Sequence, residues 1–148
     1  MVLELTCKYE YCLLALLELA AVYTSRQPLQ IRQIAARQSI PERYLEQLLL
    51  TLKRGGVVQS QRGMNGGYLL ARKPEQISLL DVLICIEGGD PPQSDRPSCS
   101  AESGSSVIHE VWKESAQAAQ AVLAQHTMQD LLEQRLELSQ ASNQMYYI

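Results

Sequence analysis

The chain has no run of about 18 apolar residues, which excludes a bilayer-spanning helix. Its opening stretch, MVLELTCKYEYCLLALLELAAVY, is broken by Glu4, Glu10 and Glu18 and carries no basic region followed by a small-residue cleavage site. No secretory signal and no membrane association are therefore expected, and the expected location is cytoplasmic. Cysteine is scarce, and four in such a setting are free thiols or metal ligands rather than a disulfide framework. There is no glycine-rich phosphate loop, no H-E-x-x-H, no G-x-S-x-G and no internal repeat. Cys99 and His109 could be imagined as nucleophile and base, but no orienting group or oxyanion hole accompanies them, so an enzyme is not expected.

What is present is ordinary in bulk and uneven in distribution. An apolar fraction of 46% and a charged fraction of 20% are those of a globular protein. A length of 148 residues suits one compact domain, or a small domain with an interaction arm. The net charge of −3 hides a split. Residues 1–73 carry ten basic and five acidic side chains, a net +5; residues 74–148 carry three and eleven, a net −8. A basic half joined to an acidic half suggests a polyanion-binding module attached to something that avoids polyanions.

Periodicity predicts a helix from about Leu5 to Tyr23, closed by Gln27-Pro28, and a shorter one from about Gln30 to Arg37. Ser39-Ile-Pro-Glu42 has the spacing of a capping box for a third helix, whose buried stripe is Tyr44/Leu45, Leu48/Leu49 and Leu52 and which Gly55-Gly56 ends. That pair is a helix-turn-helix. Val57–Gln61 and Gly67–Ala71 then form a hairpin about Arg62-Gly-Met-Asn65-Gly66, a small basic wing flanked by Arg72-Lys73. Pro74 opens a linker, Ser78 starts a helix ending at Glu87-Gly88-Gly89, and residues 88–106 are a Pro/Gly/Ser-rich loop. A long amphipathic helix from Val107 to about Gln125 follows, and Thr127 and Asp130 cap a last helix with Leu131, Leu132, Leu136 and Leu138 as its apolar positions.

The expected fold is mainly α with a small β-hairpin wing. A winged helix-turn-helix over 1–75 carries the N-terminal helix, and 76–148 supply a regulatory loop and dimerisation helices. The long helix, with its stripe of Ile108, Val111, Trp112, Ala119, Val122 and Leu123, calls for a partner, most simply a second copy of the chain. In the third helix the outward side of the first turns presents Glu42, Arg43, Glu46 and Gln47, and Tyr44 is counted with them among the DNA-binding candidates. Gln47 suits adenine, Arg43 guanine or phosphate, and Glu46 either cytosine N4 or the rejection of wrong sequences. Arg62, with Asn65 beside it on the wing, suits a narrow minor groove, while Lys53, Arg54 and Arg32 suit phosphates.

The run from Ser39 to Gly89, with Tyr44-Leu-Glu-Gln-Leu-Leu49, Arg62-Gly63, Gly66-Gly-Tyr68, Leu70-Ala-Arg72, Asp81-Val82 and Glu87-Gly88, resembles the signature region of the IscR/NsrR/CymR family of bacterial winged-helix transcription regulators. The similarity extends over the whole chain, including the H-x-x-W of His109 and Trp112. The resemblance implies a homodimer on double-stranded operator DNA, expected to be a repressor responding to iron–sulfur, redox or metabolic status. Many members hold an iron–sulfur cluster through three loop cysteines; here the loop has Cys99 alone, and Ser106 stands where the third cysteine is expected. Three alternatives for the signal stay open. One is a cluster held by Cys99, His109, Cys12 and Glu10, the last at the position from which some relatives supply an acidic ligand to the partner subunit. A second is a thiol switch at Cys99. The third is a cofactor-free chain that binds a protein partner such as a metabolic enzyme, either as a regulator or as an adaptor.

Overall fold

Hydrophobic periodicity and capping account for most element boundaries in the computed structural model, which describes residues 5–88 and 103–145. Helix α1 (Cys7–Ala21) starts where the Thr6 hydroxyl accepts from the Tyr9 amide. It gives way to a 3₁₀ turn, Tyr23–Ser25. Helix α2 (Ile31–Gln38) and helix α3 (Glu42–Arg54) form the helix-turn-helix. Strands β1 (Val58–Gln61) and β2 (Gly67–Leu70) pair antiparallel, Val58 opposite Leu70 and Gln61 opposite Gly67. Helix α4 (Leu79–Glu87), helix α5 (Ser103–Gln125) and helix α6 (Met128–Met145) complete the chain.

One core unites the head. Leu16 and Leu19 of α1, Ile34 of α2, Leu45, Leu49 and Leu52 of α3, Val57 and Val82 are all fully buried together. The stripe of α3 falls inward as its leucine spacing requires. Two other capping boxes form as their sequences suggest: Ser78 with Asp81 at α4, and Thr127 with Asp130 at α6.

Several expectations need correction. Ser39 does not cap α3; it closes α2 in a left-handed conformation (φ 54°), and α3 begins at Glu42 after Pro41. A capping box needs Glu42 at the third helical position with Ser39 as the N-cap, but Glu42 is itself the first helical residue and Pro41 the N-cap. The short connection needs its reversal at Ser39, which takes that residue away from the next helix. Pro74 does not open a loose linker. Residues Pro74–Gln76 make a 3₁₀ turn, Pro74 and Ile77 are buried, and the Met128 amide donates to the Ile77 carbonyl at 2.8 Å. Leu79 donates in turn to His126 at 2.9 Å, so the start of α4 is tied to the α5–α6 turn. Helix α5 begins at Ser103, inside the stretch expected to be loop. In α6 Leu132 is buried and Leu131 partly so, but Leu136 and Leu138 are exposed, because α6 rests only its first turns on the head and its far half projects beyond it.

Candidate nucleic-acid interface

The recognition surface follows from which side of α3 the core claims. With Leu45, Leu48, Leu49 and Leu52 buried, Glu42, Arg43, Glu46 and Gln47 are exposed on the first turns, and Lys53 and Arg54 on the last. Tyr44 is half-buried, its ring edge-on to Tyr11 of α1 with centroids 5.8 Å apart. It thereby supports the start of α3 from beneath while keeping part of its ring at the surface.

The wing is held to α2 by its second strand. Leu29 exchanges two backbone hydrogen bonds with Tyr68, 3.0 and 2.8 Å, which adds a third backbone edge to the hairpin. This approach requires Gly67: a Cβ there would collide with the Leu29 carbonyl oxygen. At the other end Gly63 supplies the positive φ (115°) of the reversal. The turn projects Arg62, Met64 and Asn65 into solvent, all three exposed. Arg32 is exposed beside α2's first turn, with Nη2 3.4 Å from the Gln30 side-chain oxygen. Arg72 behaves differently from the other flanking cations. It turns toward α4 and lies 4.0 Å from Asp81, so it braces the base of the wing instead of extending its tip.

A polar groove of about 400 Å³ runs between the wing turn and the start of α2, lined by Gln27, Gln30, Gln33 and Asn65 among others. Of these only Asn65 is expected from sequence. The signal was available as three glutamines within seven residues, two of which, Gln30 and Gln33, form a reciprocal capping box at the start of α2.

Among the described residues the sulfur and imidazole groups do not converge. Cys12 is fully buried in the α1 seam, its thiol pushed up to about 12 chiefly by burial. Glu10, two residues away on α1, is exposed on another side. His109 is exposed on α5, and Cys99 lies outside the described residues. Cys85 is half-buried, donates to the Thr51 carbonyl at 3.4 Å, and is likewise held above the usual thiol range by burial. Among the described residues no group of three His, Cys, Asp or Glu side chains could hold a metal ion. They therefore do not by themselves fit an iron or iron–sulfur site. No helix among them is long and apolar enough to cross a membrane.

The six described stripe residues of α5 divide into two degrees of exposure. Ile108, Val111, Trp112 and Val122 are 54–64% exposed, while Ala119 and Leu123 are partly covered.

Fold and surface together define a winged helix-turn-helix DNA-binding protein. The chain belongs to the Rrf2 family, described as an iron-dependent transcriptional regulator, whose model matches residues 5–134. It is 34% identical to protein rrf2 of Nitratidesulfovibrio vulgaris, over 88% of this chain and 87% of that one. It is 31% identical to the transcriptional regulator CymR of Bacillus subtilis, over 87% and 89%. Among solved structures, IscR of T. potens superposes with a TM-score of 0.77 at 33% identity, covering 99% of this chain and 98% of that one. CymR, the global cysteine regulator of B. subtilis, gives 0.74 at 32% identity over 89% and 98%. The family and these relatives are transcription regulators, not enzymes.

Proposed function

We propose that the chain is a homodimeric operator-binding regulator in which α5 builds the dimer, the first turns of α3 read the major groove, and the wing enters the adjacent minor groove. The observation that carries this reading is the division of α3, with four leucines in the core and Arg43, Glu46 and Gln47 in solvent at its N-terminal end. That end of a recognition helix is the part that reaches base edges. Gln47 pairs with adenine, Arg43 with guanine or a phosphate, and Glu46 accepts from cytosine N4. Arg62 and Asn65 serve the minor groove, and Lys53, Arg54 and Arg32 serve phosphates. Tyr44 sets the pitch of α3 through Tyr11. A dimer is needed because one short helix reads only a half-site, and the bare apolar stripe of α5 is the surface such pairing covers. A dimer seated in both grooves also excludes other proteins from the same sequence, which makes repression the simplest outcome.

The test starts from a duplex selected by the wild-type protein out of a random pool. Binding should weaken steeply with salt, by roughly one counterion per phosphate contact. Replacing Gln47 or Arg43 by Ala should relax base choice at particular positions, and Arg62→Ala should act mainly at A·T-rich flanks. Unchanged affinity in both Gln47→Ala and Arg62→Ala defeats the docking. Salt-independent binding would instead favour a winged helix that docks on a protein partner.

A further inference from the structure

Glu18 is the one buried charged side chain among the described residues, 8% exposed on α1. A carboxylate at that depth is costly unless donors fill its lone pairs. Three donors from two other helices do so. Arg37 Nη1 donates to Oε2 at 3.2 Å, while Gln38 Nε2 and Arg135 Nη1 both donate to Oε1, at 2.6 and 3.2 Å.

The donors come from two places of different consequence. Arg37 and Gln38 are the last two residues of α2. Directly after them Ser39 takes its left-handed turn, and the amides of Ser39 and Ile40 both return to the Ala35 carbonyl. That reversal sets the angle at which α3 departs. Arg135 belongs to α6, 117 residues along the chain from Glu18, and follows α5 through the Thr127 turn. Because Gln38 and Arg135 share Oε1, a displacement of α6 changes the acceptor that holds the end of α2.

We propose that Glu18 is a joint: a positioning residue through which the α5–α6 arm is coupled to the end of α2 and hence to the orientation of α3. Any signal or partner that moves the arm then changes the presentation of the recognition helix without touching it. The coupling element is a contiguous set of charge-assisted hydrogen bonds across three helices, the kind of network able to bias one element by another. The affinity consequence rests on the reading of α3 given above; the coupling itself does not.

The experiment uses the full chain without DNA, then with a duplex selected by the wild type from a random pool. In Arg135→Met, hydrogen exchange at the Ser39 and Ile40 amides should quicken at least about fivefold while the middle of α3, Leu48 and Leu49, stays unchanged. Glu133→Gln, on α6 and, among the described residues, hydrogen-bonded to Gln129 at 3.1 Å, should leave α2 untouched. Affinity for the duplex should fall about 3–10-fold in Arg135→Met, and adding Arg37→Met should cost less than the product of the two single losses. Should Arg135→Met lose its fold, Arg135→Lys is read in the same way, with smaller changes expected. Faster exchange confined to α6, or equally fast exchange in the middle of α3, overturns the joint. Faster exchange at Ser39 and Ile40 with unchanged affinity overturns its transmission to α3, and if Arg43→Ala also leaves affinity unchanged, the fault lies in the reading of α3.

Discussion

Helices α3 and α5 carry similar instructions and meet opposite fates. Each has apolar residues at helical spacing on one side and polar ones on the other. On α3 the stripe disappears, with Leu45, Leu49 and Leu52 at 0% exposure; on α5 Ile108, Trp112 and Val122 stand at 54% or more. The difference is company. Helix α3 is enclosed by α1, α2, α4 and β1, whereas α5 rests on α4 and spans 23 residues, about 35 Å, which is longer than so small a head can cover. A stripe therefore fixes that something is to be covered, and the surrounding elements fix whether it already is. Each of the large side chains left half bare on α5 stands to gain up to about 1–2 kcal/mol on full burial, which would favour the proposed pairing with a second copy.

Breaking this contrast at α3 should have the largest effect. Leu49→Ala removes a side chain from a filled core and should cost about 2–5 kcal/mol, measured by urea unfolding. At α5 the same experiment should come out differently. Val122→Asp or Trp112→Asp should leave the head folded by circular dichroism, yet yield monomers in sedimentation and weaken operator binding by about a hundredfold or more through loss of the linked half-site. Wild-type monomers at micromolar concentration would show that α5 is bare for another reason. On the outward side of α3, Arg43→Ala or Gln47→Ala should cost about 1–3 kcal/mol in DNA binding and nothing in stability.

A pH test sharpens the contrast between buried and exposed faces within α1. The Cys12 thiol is held at about 12 in the folded protein against an ordinary 9.0, through burial first, with nearby Lys8 acting in the opposite direction. Unfolding frees it to ionise. Its contribution to stability is therefore complete below pH 9 and is lost as pH rises toward 12, at about 1.4 kcal/mol per pH unit. Tyr9, raised to about 12 by burial, adds to the same decline above pH 10. Urea unfolding at pH 8 and pH 10.5 should register the loss. A thiol reagent at pH 8 should label exposed Cys7 and spare Cys12 until the chain unfolds.

Much of the head was legible in the chain because its signals are local. The leucine spacing of α3, the Arg62–Gly66 reversal, and the Ser78/Asp81 and Thr127/Asp130 boxes all act within one or two turns of backbone, and each forms where its residues stand. Ser39 failed for the same kind of reason seen from the other side. Two local roles competed for one residue, and the shortness of the α2–α3 connection, a property of the pair, chose the reversal over the cap. Nothing local marks Glu18 either. An acid inside an apolar helix looks like an interruption until Arg37, Gln38 and Arg135 arrive from elsewhere.

By itself the sequence determined the winged helix-turn-helix, the residues on the outward face of α3, and the existence of an apolar stripe on α5, since periodicity and turn chemistry are settled over a few residues. Only tertiary structure decided which stripe is covered, that Leu136 and Leu138 of α6 stay in solvent, that Arg72 braces the wing while Arg62 is offered by it, and that one buried carboxylate ties the C-terminal arm to the end of α2. Those outcomes are contests among many faces and charges for one small interior, and no stretch of chain carries the result alone.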